Sequence, residues 1–120
     1  MKQYDTGIAG ESRAEEYLCG LGMICLSRRY RGEDGEIDLV MKDGASIVFV
    51  EVKARPSSSR GAGLMAVTPA KQRRMAHAAL HFLVHRELLD CPVRFDVVEI
   101  SSRGVIHVPN AFMPPRECWA

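Results

Sequence analysis

Asp38, Glu51 and Lys53 are the residues whose types and spacing most clearly allow chemistry. They lie in two apolar segments, EIDLVMK (36–42) and SIVFVEVKA (46–54), joined by Asp43-Gly44, a strong β-hairpin signal. Side chains alternate along a strand. An even turn centred on Asp43-Gly44 therefore gives one face Glu36, Asp38, Val40, Ile47, Phe49, Glu51 and Lys53. In that register residue 38 lies opposite 49 and residue 36 opposite 51. The other face holds Ile37, Leu39, Met41, Val48, Val50 and Val52, is wholly apolar and has to be covered. A three-residue turn would move Asp38 to that second face.

Carboxylates gathered on a partly apolar sheet surface repel one another and cost energy to desolvate unless something binds them. A divalent cation, Mg²⁺ or Mn²⁺, is the natural occupant. Mg²⁺ is typically held by one or two carboxylates, with waters and a substrate phosphate completing its shell. Asp38 and Glu51 would be the metal ligands, with the Val52 carbonyl as a further donor. Lys53 could then polarise the attacking water or neutralise charge on a phosphate. A solvated edge strand with a cross-strand Glu–Lys pair would contain the same residues. The almost unbroken apolar run VFVEVK instead favours a central strand.

A fourth acid comes from the first helix. Residues 7–20 read as helical because Ala14, Tyr17, Leu18 and Leu21 follow i, i+3, i+4, i+7 spacing and Gly20 and Gly22 are stop signals. Glu11 borders that stripe and could reach the polar half of the sheet. It is equally well placed as a favourable first-turn charge.

The charge is unevenly spread. Between Val52 and Arg86 there is no acidic residue, while Lys53, Arg55, Arg60, Lys71, Arg73, Arg74 and Arg86 all fall there. Arg28, Arg29 and Arg31 form a second basic cluster. With the flexible Ser/Gly stretch PSSSRGAG (56–63), this pattern suits a phosphate backbone, with Arg55, Arg60, Lys71 and Arg73 as its contacts. His77, His81 and His85 continue the helical face of Arg73. With no HExxH pattern, they read as a solvated helix face. Gln72 lies on the apolar side of the same helix, where it either faces the site or a nucleotide or caps its own turn.

The remaining elements follow from local signals. Residues 23–29 make a short strand. Thr68-Pro69 starts a helix, with Thr as N-cap and Pro in the first helical position, running to about residue 88. VRFDVVEIS (93–101) is a strand, a Ser-Arg-Gly turn follows, and VIHV pairs back on it. Pro109, Pro114 and Pro115 predict an irregular tail over 109–120. The order is α-β-β-β-α-β-β, an α/β domain.

At 120 residues, 47% hydrophobic and 26% charged, the chain has the composition of one soluble globular domain. Its net charge of +1 argues on its face against a polyanionic partner, but it sums the acid cluster and the basic segment. No apolar run approaches the roughly 20 residues of a membrane helix. The opening MKQYDTG has no apolar signal core, so a cytoplasmic protein is expected. Cys19, Cys25, Cys91 and Cys118 contain no CxxC pair and are expected to be reduced thiols.

The stretches TGIAGESRAEEYL, GEIDLVMKDGASIVFVEVKAR, VTPAKQRRMAHAALHFL and RFDVVEI cover most of the chain. They resemble the YraN-like family of small uncharacterised bacterial proteins, which are predicted nucleases. The resemblance implies a restriction-endonuclease-like fold, similar to archaeal Holliday-junction resolvases, with a mixed sheet flanked by helices and a PD-(D/E)xK-type centre. Asp38 would be its first acid, Glu51 its second and Lys53 its lysine. Glu11, in GES, matches the helix-one glutamate, and Gln72 loosely matches a polar helix residue of related nucleases. Ile37 stands where the motif's name has proline. A homodimer is implied by the resemblance alone.

The expectation is therefore a Mg²⁺- or Mn²⁺-dependent endonuclease hydrolysing phosphodiester bonds, acting on DNA ahead of RNA, with branched or junction DNA among the candidate substrates. The competing expectation is a non-catalytic nucleic-acid-binding or adaptor module on the same fold.

Overall fold

Three apolar segments separated by short connections can pair only as antiparallel neighbours. The computed structural model, which describes residues 3–55 and 67–114 with side chains from residue 9 onward, has them so. The elements are α1 (Gln3–Gly20), β1 (Ile24–Arg31), β2 (Glu36–Asp43), β3 (Ser46–Ala54), α2 (Pro69–His85), β4 (Val93–Ser101) and β5 (Gly104–Phe112). The sheet has the order β1-β2-β3-β4-β5, and only β3 and β4 run parallel. α2 lies in the crossover that a parallel pair needs. This is the expected α/β arrangement, a mixed sheet flanked by helices, and it is consistent with a nuclease-like fold.

The two helices cover opposite faces. Met75, Ala79 and Phe82 of α2 pack on Val40, Ile47, Phe49 and Phe95, while Ala14 and Leu18 of α1 pack on Leu39, Met41, Val48, Val50 and Val98. α1 buries a narrower line than its spacing predicts. Gly10, Ala14 and Leu18 are buried, but Tyr17 and Leu21 are exposed. Small residues let this helix lie close to β3. Tyr17 instead meets the His107 ring of β5 edge-on at 5.8 Å. Among the described residues, no helix is long and apolar enough to cross a membrane.

The hairpin turn falls one residue later than expected. Asp43 pairs with Ser46, so the loop is Gly44-Ala45, and Gly44 at φ +61° supplies the left-handed backbone that a tight hairpin wants. Leu39 then faces Val50 instead of residue 48. The turn stays even, so the face that joins Asp38 with Glu51 is preserved.

Ile37 departs from the expected face. It packs with the α2 cluster, whereas Leu39 packs with α1. The cause lies in the neighbouring strand. The β1–β2 register pairs Arg28 with Leu39 and Tyr30 with Ile37 but omits Arg29 opposite Asp38, and Arg29 has φ +51°. The β2–β3 pairing also stops at Leu39–Val50. The sheet is thus kinked and splayed at Asp38.

Two ends differ from the sequence reading. α2 stops at His85, not near 88, through a Schellman closure: Leu88 N–H donates to Leu83 O at 2.8 Å and Glu87 N–H to Val84 O at 3.2 Å. Glu87 takes the left-handed position (φ +58°) usually given to glycine, so no stop signal was visible. Strand β5 runs to Phe112, through Pro109, where an irregular tail was expected to begin. It is an edge strand, and the register bulges between Phe95 and Val97, so the missing proline N–H costs no ladder bond.

The connection between β1 and β2 is seated on α2. A Cβ on Gly35 would lie 2.2 Å from the Arg74 carbonyl oxygen. Gly35→Ala is expected to destabilise the fold by about 1–3 kcal/mol, the usual cost of overpacking, in urea denaturation. An unchanged midpoint would show that the connection does not need this close approach.

Candidate functional site

β3 is the strand that carries the site, because its central position buries whatever it presents. Glu51 is 3% exposed in the middle of the sheet. A carboxylate so placed needs partners. Asp38 comes from the splayed end of β2, where its Oδ2 accepts the Val52 N–H at 2.8 Å. The side chain thereby reaches across the gap between the two strands. It also lies beside the Glu51 carboxyl, close enough for each to shift the other's proton affinity.

Two ammonium groups complete the cluster. Lys53 Nζ lies 3.3 Å from Glu51 Oε2. Lys71 Nζ, from the first turn of α2, sits on the same oxygen in closer contact. Neither meets it with hydrogen-bond geometry, so Oε2 is a buried carboxylate oxygen without a proper donor. An ion pair without a directed hydrogen bond leaves much of the desolvation cost unrecovered.

The electrostatics follow from this crowding. Burial, with the close contact and the charge of Glu51, pushes the Asp38 carboxyl from 3.8 up to about 8; the Val52 N–H pulls it down and the charge of Glu11 pushes it up. Burial would also raise Glu51, but its close contacts with Asp38 and Lys71 and the charges of Lys71 and Lys53 outweigh it and hold Glu51 below its ordinary value. Burial and the neighbouring Lys71 charge lower Lys53, against the opposing charge of Glu51. Lys71 is raised despite its burial, chiefly by its contact with Glu51. The two shifts run in opposite directions, so a proton shared by the pair rests on the Asp38 side, because two such acids cannot both ionise cheaply.

Glu11 stands at the margin. Its Oε1 accepts from Arg29 Nε at 2.8 Å, in a pocket of about 210 Å³ lined by Ser12, Glu15, Arg28 and Leu39 as well. It acts on Asp38 through its charge. Glu36, the third acid expected on this face, instead pairs with Arg31 at 3.1 Å in an exposed position. Among the described residues no group of three or more His, Cys, Asp or Glu side chains is assembled. The acid pair nevertheless fits a divalent ion of the magnesium type, which takes one or two carboxylates and leaves its other positions to water and phosphate. The Glu51 oxygen, met by two ammonium groups but by no directed hydrogen bond, is the observation behind that fit.

The basic residues divide. Lys71 belongs to the acid cluster and not to an outer phosphate surface. Arg73 and Arg74 are exposed on α2, whose first turn holds no acid. Arg55 follows the end of β3, its N–H bound to Ile100 O at 2.8 Å. Arg60 and Cys118 lie outside the described residues. Gln72 donates from Nε2 to Val67 O at 3.1 Å, so its side chain closes its own helix start. The histidine face is occupied locally: His77 meets Asp34 at 2.8 Å, His81 meets the Tyr30 hydroxyl, and His85 lies stacked on His81.

Two buried acids had escaped the sequence reading. Asp96 is fully buried and Glu99, in register with Lys53, is 1% exposed. Their signal was the same as that of Glu51, an acid inside the apolar strand FDVVEI.

Comparison with known proteins places these residues within one family. The profile described as uncharacterised protein family UPF0102 matches residues 10–100, which span Glu11, Asp38, Glu51, Lys53 and Lys71. A UPF0102 protein of Alkalilimnicola ehrlichii is 44% identical over 112 residues, 92% of this chain and 89% of its own. One from Geobacter metallireducens is 46% identical over 110 residues, 88% of this chain and 90% of its own. One from Ralstonia pickettii is 48% identical over 112 residues, 89% of each chain.

The shared proton gives a pH signature. The folded Asp38 carboxyl lies above its unfolded value, so its stabilising contribution is full below pH 3.8 and is lost as pH rises through about 8. Glu51 has the opposite sign, and its contribution is lost as pH falls below its ordinary 4.5. Asp38→Asn keeps the shape and hydrogen bonds of the protonated acid. In EDTA its melting temperature is expected to exceed that of the wild type at pH 8, with the gap shrinking toward pH 5. A gap that does not change with pH would mean that Asp38 is not held protonated.

Proposed function

This chain belongs to the uncharacterised protein family UPF0102, and we propose that it is a divalent-metal-dependent nuclease that hydrolyses phosphodiester bonds in DNA. The observation that carries this reading is the Glu51–Asp38 pair: a buried carboxylate oxygen without a directed donor, beside a second carboxyl whose proton affinity is raised by burial and by Glu51. Stability alone gives no reason to bury Glu51 in the centre of a sheet beside a second, half-buried acid. Mg²⁺ or Mn²⁺ held by Asp38 and Glu51 would neutralise the pair, polarise a phosphoryl oxygen and activate water.

The chain's own groups supply the rest. Lys53 is anchored to the strand two residues from Glu51, with its ammonium in the cluster. Its lowered proton affinity suits it to exchanging a proton with the attacking water. The water oxygen would bond to phosphorus while its proton passes by way of Lys53 to solvent, the bond from phosphorus to the deoxyribose oxygen would break, and that oxygen would leave with a proton taken from solvent. Glu11 adds negative charge toward Asp38 and favours a cation there. Arg73 and Arg74, exposed on an acid-free helix start, are placed to hold the phosphate backbone on the α2 side.

The test is cleavage of duplex, single-stranded and branched DNA with Mn²⁺. Wild-type protein is expected to cut at least one of them, and Asp38→Ala, Glu51→Ala and Lys53→Ala are each expected to lose about 100-fold or more in rate. Cutting that survives the two acid substitutions would remove the site from consideration. Salt-sensitive binding without cutting in any metal would favour a binding module instead.

A further inference from the structure

Lys71 has no place in the hydrolysis described above, yet it makes the closest contact of the cluster. Its ammonium sits directly on Glu51 Oε2, nearer than Lys53 at 3.3 Å. It arrives from a different element. Its backbone is fixed, because its N–H donates to the N-cap Thr68 Oγ1 at 3.2 Å and the neighbouring Gln72 N–H to Thr68 O at 2.8 Å. Its side chain is one-third exposed, compared with 14% for Lys53. The long lysine stem can therefore swing outward while the helix stays in place, a freedom that Lys53 lacks.

That oxygen is also the one a cation would need. It is the buried, undirected oxygen of the acid pair. A divalent ion of the magnesium type approaches carboxylate oxygen to about 2.0–2.1 Å. An ammonium in contact with the same oxygen would then be within a few ångströms of a double positive charge, in a site with little water to screen it. The two cations exclude each other. The helix start adds to the pressure, since α2 has no acid in its first turn and its own dipole opposes a lysine there. Glu51 is what holds Lys71 inward.

We propose that Lys71 is an exchangeable internal cation, whose ammonium neutralises Glu51 while no metal is bound and gives up that oxygen when a divalent ion enters. The proposal rests on the metal-site reading of Asp38 and Glu51. Its consequence is a built-in reduction of metal affinity: the ion binds only the fraction of molecules in which Lys71 has swung away.

Mn²⁺ alone, titrated by calorimetry into the full-length protein, tests this. If the open fraction is about 10%, Lys71→Met binds Mn²⁺ about 10-fold more tightly than wild type. Lys42→Met removes an exposed charge elsewhere on the sheet and is expected to change affinity by less than about 2-fold, separating displacement from general electrostatics. In EDTA, Lys71→Met is expected to melt below wild type because Glu51 loses its counter-ion, with the gap closing in saturating Mn²⁺. Should Lys71→Met not fold, Lys71→Gln carries the same expectations. Unchanged or weaker Mn²⁺ affinity in the Lys71 variant, with binding lost in Glu51→Gln, overturns the exchange and leaves the metal site standing. Wild-type protein that binds no Mn²⁺, or binding indifferent to Glu51→Gln, overturns both.

Discussion

The carboxylate of Glu51, buried in the central strand β3, is the constraint around which the rest of the molecule is arranged. A charge in that position cannot be left to the sheet, whose backbone groups are already committed to neighbouring strands. The chain answers it from three directions. Asp38 shares a proton from β2, Lys53 approaches along β3, and Lys71 reaches over from α2. Each answer requires a feature of the fold. Asp38 needs the strands to part, Lys53 needs an even spacing along one face, and Lys71 needs the crossover helix to begin directly above the site.

The parting of the strands has its own cost. Arg29 adopts a left-handed backbone opposite Asp38. For a residue with a Cβ that conformation typically costs about 1–2 kcal/mol. The kink turns Ile37 into the α2 core and leaves the Asp38 carboxyl free to take the Val52 N–H, where a regular hairpin would have offered a carbonyl. It also carries the Arg29 side chain to Glu11 on α1. A single backbone irregularity thus links the first helix, the edge strand and the acid pair. Strain concentrated beside a charged cluster is a common mark of a working site.

How much of this was legible in the sequence depended on range. The hairpin, the N-cap of α2 and the shared parity of Asp38 and Glu51 are local matters, and local signals were enough for them. The end of α2 was not, because Glu87 does what glycine usually does. The face of Ile37 was not, because its cause lies in another strand at Arg29. The role of Lys71 was furthest from reach. By composition it is one more cation in a basic stretch, and only the crossing of α2 over β3 brings it to Glu51. The outer basic residues were grouped correctly as charge, but charge alone does not say which of them face inward.

Asp96 supplies the comparison for Glu51, a second buried acid held in a different way. It is as deeply buried as Glu51 and stands on the adjacent strand. Yet Arg94 reaches it with Nε at 3.0 Å and Nη2 at 3.2 Å, His107 lies at 2.8 Å, and the Asn110 N–H donates at 2.9 Å. Both of its oxygens are engaged with donor groups, and the bulge in β5 that brings Asn110 to it exists in the same stretch. An acid satisfied in this way pins β4 to β5 and needs nothing further. Glu51 has as many charged neighbours and no directed donor on Oε2. In one protein, in the same sheet and at the same depth, one buried acid is held by directed donors and the other has ion pairs alone on one oxygen. The burial is equal, so what distinguishes the two acids is the directed donor that Glu51 Oε2 lacks.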